Sequence, residues 1–194
     1  MENEKKSIFA LHRRKFVCEN GKFKVFFDDV KGKDGEHVKD YLVVVPKLNT
    51  GNFITGIAIL PVMKGKIGLI RVYRHPIQDY SWEIPRGFLD ENESPIAASL
   101  RELEEETGLR CKLEEIHSLG YATPEPGVLK ARVELFVAPN CVEFKPYQAE
   151  EFGHEELNFF TQDEILNMAN SSLIQDPCTL ISFYRWKHID EIKY

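Results

Sequence analysis

The sequence predicts an α/β (α+β) fold, a mixed β-sheet sandwiched between helices, with an N-terminal β-hairpin element before it. Three observations carry this. The most apolar stretch, Ile54 to Tyr73, is broken by Pro61, Lys64 and Lys66, which makes it two strands and a turn rather than one span. A later segment, 95–107, carries both a helix start and a helix stop signal. Short strand-like runs alternate with such helices through the rest of the chain, the layered pattern of a sheet covered by helices. The 194 residues, 43% of them hydrophobic, suffice for one such core.

The elements follow in order. Phe23 to Val30 reads as a strand, Asp34-Gly35 as a tight turn, and Tyr41 to Val45 as the returning strand. This hairpin precedes the core and marks off residues 1–50 from the main domain, 51–194. Phe53–Met63 and Ile67–Tyr73 form the next strand pair around Lys64-Gly65-Lys66, and Trp82-Glu83-Ile84-Pro85 is a short strand. Ser94-Pro95 reads as N-cap and first helical residue, because proline has no N–H to lose there and its φ is already helical. Gly108 stops that helix in a left-handed conformation. Leu113–Tyr121, Val133–Ala138 and Leu157–Thr161 read as strands, and Gln162–Asn170 and Pro177–Ile192 as helices, the latter capped by Asp176.

Composition narrows the function classes. The formal net charge of −6 argues against nucleic acid as the main partner. The first residues, Met1-Glu-Asn-Glu-Lys-Lys, are charged and lack the apolar centre of a signal peptide. Cys18, Cys111, Cys141 and Cys178 are widely spaced, with no C-x-x-C pair, and read as reduced thiols of a cytoplasmic protein. His75, His154 and the other histidines have no metal-ligand spacing and read as structural or surface residues.

The chemistry concentrates on the helix 95–107. At about 100° per residue, Ile96, Leu100, Leu103 and Thr107 fall on one stripe that packs on a sheet. Glu102, Glu105 and Glu106 fall together within about 100° on another side, and Glu104 points away. Three carboxylates at i, i+3 and i+4 repel one another, which a purely structural helix disfavours. Divalent cations reverse that sign, and oxygen-only ligands suit Mg²⁺ or Mn²⁺ better than zinc.

The whole segment Gly87 to Leu109 fits G-x5-E-x7-R-E-U-x-E-E-x-G-U, with U aliphatic, without a gap. Gly87, Glu93, Arg101, Glu102, Glu105, Glu106 and Gly108 are the seven fixed identities. At ordinary residue usage a chance match at one start is roughly 10⁻⁸. This pattern is the Nudix box, and the chain resembles the Nudix hydrolases. Within them Arg71-Val-Tyr-Arg74, Trp82-Glu83-Ile84-Pro85, Pro124, Pro126-Gly127 and Val133–Ala138 resemble the branch of ADP-ribose pyrophosphatases and other nucleotide-sugar pyrophosphatases. The chain departs from that branch at Arg86, where a small residue is usual, and at Leu129-Lys130, where an acidic residue is usual.

The resemblance implies the Nudix fold and a Mg²⁺-dependent hydrolysis (Mn²⁺ also serving) with two or three ions. It implies Glu102 and Glu106 as main metal ligands, Glu105 completing the cluster, and the Arg86 carbonyl as a backbone ligand. Arg101 would orient a carboxylate, Glu93, and Gly87 would let the loop turn. A loop glutamate would act as base or further metal ligand. Glu155 matches by its offset from Leu157, with Glu151 and Glu156 as open alternatives and Gly153 letting the loop swing. Arg74, Glu83, Arg86 and Trp82 are the candidate substrate-binding residues. The resemblance also implies a homodimer in which the N-terminal element helps build the pocket for a small nucleotide-sugar substrate. The competing classes are a hydrolase of dinucleoside polyphosphates or capped RNA on the same site, and a ligand-binding Nudix domain without turnover. The complete set of box carboxylates argues against the last.

Overall fold

The computed structural model describes residues 8–48 and 52–189. Three strands, β1 (Phe9–Glu19), β2 (Phe23–Gly32) and β3 (His37–Pro46), form an antiparallel sheet in that order. The expected hairpin is β2–β3, and Gly35 takes φ +87° in its turn. The third strand is an addition to it. Every residue of β1 is exposed, so no alternation of apolar and polar residues marks it in the sequence. Ion pairs tie β1 down instead. Arg14 donates to Asp28 at 2.8 and 2.6 Å, and Arg13 to Asp29 at 3.1 Å, which satisfies two otherwise buried carboxylates.

The main domain begins with β4 (Ile54–Met63), β5 (Lys66–Arg74), β6 (Asp79–Glu83) and β7 (Arg86–Phe88), followed by α1 (Pro95–Thr107). It continues with β8 (Leu109–Arg110), β9 (His117–Ala122), β10 (Arg132–Ala138), β11 (Val142–Glu143), β12 (His154–Phe160), α2 (Gln162–Asn170) and α3 (Pro177–Lys187). Seven strands make the mixed sheet. The path is β12-β5-β4-β10-β9, with β6 beside β5 and β7 beside β4. β4 and β10 run parallel, and the other pairs run antiparallel. β8 and β11 pair separately. The β4–β5 turn has Lys64 at φ +52° and Gly65 at φ +75°, the two positive values a two-residue hairpin needs.

Strand alternation sorts the core into two layers. Ala58, Leu60, Leu135 and Val137 face Ile165 of α2 and Phe183 of α3. Ile57, Ile59, Phe136 and Ala138 face Leu103 of α1 and Leu109. Both faces of β4 are therefore covered, which is why its sequence is apolar almost without interruption.

Three sequence expectations need adjusting. Leu113–Tyr121 is not one strand: Leu113–Glu115 is a 3₁₀ turn, and β9 starts at His117. Glu114 and Glu115 follow Leu113 directly, and the turn leaves Leu113 and Glu114 exposed before Ile116 is buried. The last helix ends at Lys187, with His188 as its C-cap, and residues 190–192 of the expected span lie outside the described residues. On α1, Leu103 and Thr107 are buried as expected while Ile96 and Leu100 are only partly covered. Ala98, Ser99, Glu102 and Glu106 are buried as well, so two sides of the helix are covered.

The caps follow the sequence. The Ser94 hydroxyl accepts from the Ala97 N–H at 3.3 Å, and Gly108, at φ +71°, donates to the Glu104 carbonyl at 2.9 Å. The Asp176 carboxylate accepts from Thr179 N–H and Oγ1–H at 2.8 and 2.7 Å at the start of α3.

The two sheets meet at one edge. Val44 of β3 donates to the Val128 carbonyl and accepts from the Lys130 N–H, both at 2.9 Å. Tyr41 donates to the Gly127 carbonyl at 2.8 Å, and Phe23 packs edge-on against Phe88 with ring centres 5.6 Å apart. The Pro124–Lys130 connection is thus pinned to the N-terminal sheet.

Candidate active site

A cavity of about 510 Å³ opens where the two sheets meet. Lys22, Phe23 and Pro46 of the N-terminal sheet line one side, and Pro124, Leu129 and Ala131 another. Gly87, Arg101, Glu102 and Glu106 line a third, and Glu151 and His154 face them.

The helix α1 sets the carboxylates. Glu102 and Glu106 lie one turn apart, only 6% and 5% exposed, beneath β7. The Arg86 N–H donates to Glu106 at 2.9 Å, so the backbone entering β7 is fixed directly over the helix. A Cβ on Gly87 would run into the Glu102 carboxylate, which explains glycine there by space rather than by φ. Glu105 is 56% exposed and bonded to Arg101 at 3.1 Å. Glu104 turns away to Arg110 at 2.7 and 3.2 Å.

Arg101 is the organising cation. It grips Glu93 with two bonds of 2.9 Å, donates to Glu102 at 2.7 Å, and reaches the Phe88 carbonyl at 3.1 Å. These bonds hold the Glu93 carboxyl below its ordinary value. Glu102 moves the other way: burial raises its pKa, against the pull of Arg101. Burial pushes Glu106 up to about 9, with the neighbouring Glu151 adding to the shift. Among the described residues no arginine or lysine lies within ion-pair reach of Glu106. Its near neighbours are Glu151 and His154, and His154 Nε2 lies 3.8 Å from a Glu106 oxygen and 3.4 Å from a Glu151 oxygen. One donor atom from each of these three residues lies within 4.8 Å of the others. A buried carboxylate without a countercharge, Glu106, converging with the exposed Glu151 carboxylate and an imidazole, fits a divalent cation.

Similarity to known proteins agrees with this geometry. The family model described as NUDIX domain matches residues 53–177. The chain belongs to the Nudix family. It is 31% identical over 163 residues to a methanol dehydrogenase activator of Bacillus methanolicus, covering 82% of each chain. It is 28% identical over 157 residues to an ADP-ribose pyrophosphatase of Bacillus subtilis (strain 168), covering 80% of each. To an ADP-sugar pyrophosphatase of Mus musculus it is 38% identical over 76 residues, 36% of this chain and 35% of that one. A solved structure described as an ADP compounds hydrolase shares the fold with TM-score 0.77 and 16% identity over 95% of each chain. As a Nudix pyrophosphohydrolase, the chain works on a diphosphate with divalent metal.

The remaining candidate residues sort by position. Glu155 points away from the cluster. It accepts from Arg71 at 2.9 Å and from Tyr80 at 2.6 Å, with Arg71 stacked over the Tyr80 ring at 4.2 Å. Glu156 is also exposed, 3.8 Å from Arg71. Glu151 is the loop glutamate beside Glu106. The reason is strand register: β12 pairs His154 with Val72 and Glu156 with Arg71, and the irregularity between them turns Glu155 outward. Arg74 lines the cavity and holds the buried Glu83 at 2.9 and 2.5 Å. The Arg86 side chain also binds Glu83, and it reaches Asp176 at 2.7 Å, so the guanidinium is used inside the protein. Burial works against its charge, but Asp176 and Glu83 hold its pKa above the usual value. Trp82 packs edge-on against Phe160 in the core and is absent from the cavity wall.

His154, which lines the site, and Asp176, which supports it through Arg86, carry no sequence signal strong enough to find them. His154, read as structural or surface, belongs to the cluster, and its side chain is only 7% exposed. Asp176 was visible only as a helix cap, yet it also fixes Arg86. A histidine three residues after a loop glutamate, at the start of a strand, is the one hint that pointed to the first.

Proposed function

We propose that this protein hydrolyses the diphosphate of a nucleoside-diphosphate sugar, ADP-ribose foremost, to a nucleoside monophosphate and a sugar phosphate. The observation that carries the reading is the cleft of about 510 Å³, whose floor is the carboxylate cluster and whose rim includes Lys22, Phe23 and Pro46. A bare diphosphate needs no such rim. A nucleoside on one side and a sugar on the other do. The similarity to ADP-ribose and ADP-sugar pyrophosphatases supports the same substrate class.

Glu102, Glu106 and Glu151 would hold two or three Mg²⁺ ions, with the Arg86 carbonyl as a backbone ligand. Such ions neutralise a polyanion and make water a stronger nucleophile at neutral pH. Glu105, held by Arg101, faces the same side at the protein surface. Glu151 takes the proton of the attacking water, whose oxygen bonds to one phosphorus as the bridging P–O bond breaks. Its side chain is 60% exposed, so it exchanges that proton with solvent readily. Arg74 and Lys22 offer positive charge to the phosphates and the substrate's anionic end.

The division at residue 50 and a homodimer belong to the same reading. Phe9, Leu11, Phe16 and Val17 of β1 and Leu42 of β3 stand exposed on the N-terminal sheet, an apolar surface that a second copy would cover. Light scattering at micromolar concentration should return the dimer mass. The four cysteines are all free, which suits the reducing cytoplasm. Among the described residues no helix is long and apolar enough to cross a membrane.

The deciding experiment is a substrate panel with Mg²⁺: ADP-ribose, other nucleotide sugars, dinucleoside polyphosphates and capped RNA, with products separated by chromatography. A nucleoside monophosphate from the nucleotide sugars is the expected result. Turnover of only dinucleoside polyphosphates or capped RNA would replace this reading.

A further inference from the structure

We propose that His154 supplies a nitrogen ligand to the cation held by Glu106 and Glu151, which makes this one position selective for a first-row transition ion such as Mn²⁺ over Mg²⁺. The inference rests on the metal-dependent reading above and goes beyond it, since that reading needs only oxygen ligands.

The distances support a shared centre. His154 Nε2 lies 3.4 Å from Glu151 and 3.8 Å from Glu106. Both exceed the roughly 2.7–3.2 Å of a good N–H···O bond. Donor atoms about 2.1 Å from one cation lie about 3.0 Å apart at a right angle and about 3.4 Å apart at a tetrahedral angle. The 3.4 Å separation is that of two ligands on one cation, the 3.8 Å one is a little wider, and Glu151 and Glu106, already side-chain neighbours, would share the same ion.

The backbone fixes this arrangement. The His154 N–H donates to the Glu151 carbonyl at 3.0 Å, which closes the turn between the two ligands. The Tyr73 N–H donates to the Gly153 carbonyl at 2.8 Å, which fastens that turn to β5. Gly153 sits at φ +92°, and a Cβ there would meet the Tyr73 carbonyl at 2.8 Å. The imidazole is therefore presented by the sheet, and its side chain is almost fully covered. An imidazole is a better ligand for first-row transition ions, least so for Mn²⁺ and more for the later ones, whereas Mg²⁺ favours oxygen and keeps its waters.

Pulsed EPR of the full-length protein loaded with Mn²⁺ tests this directly. The expected spectrum shows ¹⁴N modulation, which changes to the ¹⁵N pattern when histidine is ¹⁵N-labelled. His154→Gln should abolish it and weaken Mn²⁺ binding at least about tenfold, while Mg²⁺ binding shifts by less than about threefold. Bound Mn²⁺ without a histidine nitrogen signal overturns the proposal and leaves the hydrolase reading standing. Failure of the protein to bind Mn²⁺ even at millimolar concentration overturns both. The labelled wild-type protein decides the matter even where the variant does not fold.

Discussion

The site has two walls, and they are built in opposite ways. One wall is the helix α1, where Glu102, Glu106 and Arg101 take their positions from a single run of residues and the 3.6-residue turn. The other is the short turn Glu151–His154, where position comes from pairing β12 to β5, about eighty residues earlier in the chain. The first wall is set within one helix. The second depends on register, and a one-residue change there moves a different carboxylate toward the cluster. The proposed mechanism needs both, since one wall would supply most of the charge and the other the solvent-facing base.

The sharpest way to break this comparison is to exchange the loop glutamates. Glu151→Gln should lower kcat by about 10²–10⁴-fold, the range for losing a general base, with a small effect on KM. Glu155→Gln, which removes only a surface partner of Arg71 and Tyr80, should change kcat by less than about threefold. A large loss at Glu155 with activity retained at Glu151 would mean that the second wall shifts register when substrate binds.

The first wall has its own internal control. Glu106→Gln removes one metal-binding charge with little change in packing, and kcat should drop at least about 10²-fold. Glu104→Gln, on the same helix but paired with Arg110, should leave kcat within about twofold of wild type. Equal effects from the two would show that the helix face assigned to the metal is wrong.

These two walls were not equally legible in the sequence. The box gave α1, its caps, and the inward placement of Glu102 and Glu106, because spacing along one helix converts directly into direction. The strand pair around Lys64-Gly65 was equally plain. β1 was not, because it is held by Arg13 and Arg14 pairing with aspartates instead of by a buried face. Glu155 was favoured over Glu151 by counting back from Leu157, but a strand irregularity between His154 and Glu156 decides which side chain faces inward. No local pattern encodes that. Arg86, a candidate substrate-binding residue, spends its charge on Glu83 and Asp176, and Asp176 is ninety residues away.

A backbone substitution sharpens the difference between the walls. Gly153 takes a positive φ and packs against the Tyr73 carbonyl, so Gly153→Ala meets both a conformational and a steric cost. We expect a loss of about 1–2 kcal/mol in urea unfolding, together with a fall in kcat, because the turn carrying Glu151 and His154 must shift. Gly108→Ala, at the end of α1, also has a positive φ and would meet the Lys145 carbonyl, so it should cost similar stability. It lies away from the cluster, however, and should leave kcat closer to wild type. Equal kcat losses at the two glycines would remove the distinction between the walls.

The smallest effect is a proton count, and it tests whether the two walls meet electrostatically. Burial, reinforced by Glu151 across the cleft, holds Glu106 at about 9, well above its unfolded value near 4.5. In the metal-free protein the folded state keeps this proton while the unfolded chain has already lost it. The contribution of Glu106 to stability is therefore complete below about pH 4.5 and declines steadily as pH rises toward 9. A divalent cation reverses the preference, because it needs the carboxylate. At pH 7, binding of Mg²⁺ should release about one proton, read as a dependence of the calorimetric enthalpy on the ionisation enthalpy of the buffer. The stabilisation by Mg²⁺ should grow between pH 5 and 8. In Glu151→Gln the like charge across the cleft is gone, so Glu106 titrates lower and the proton release at pH 7 should shrink. An unchanged release in that variant would mean that burial beneath β7 alone sets Glu106, and that the second wall acts only on the substrate and its water.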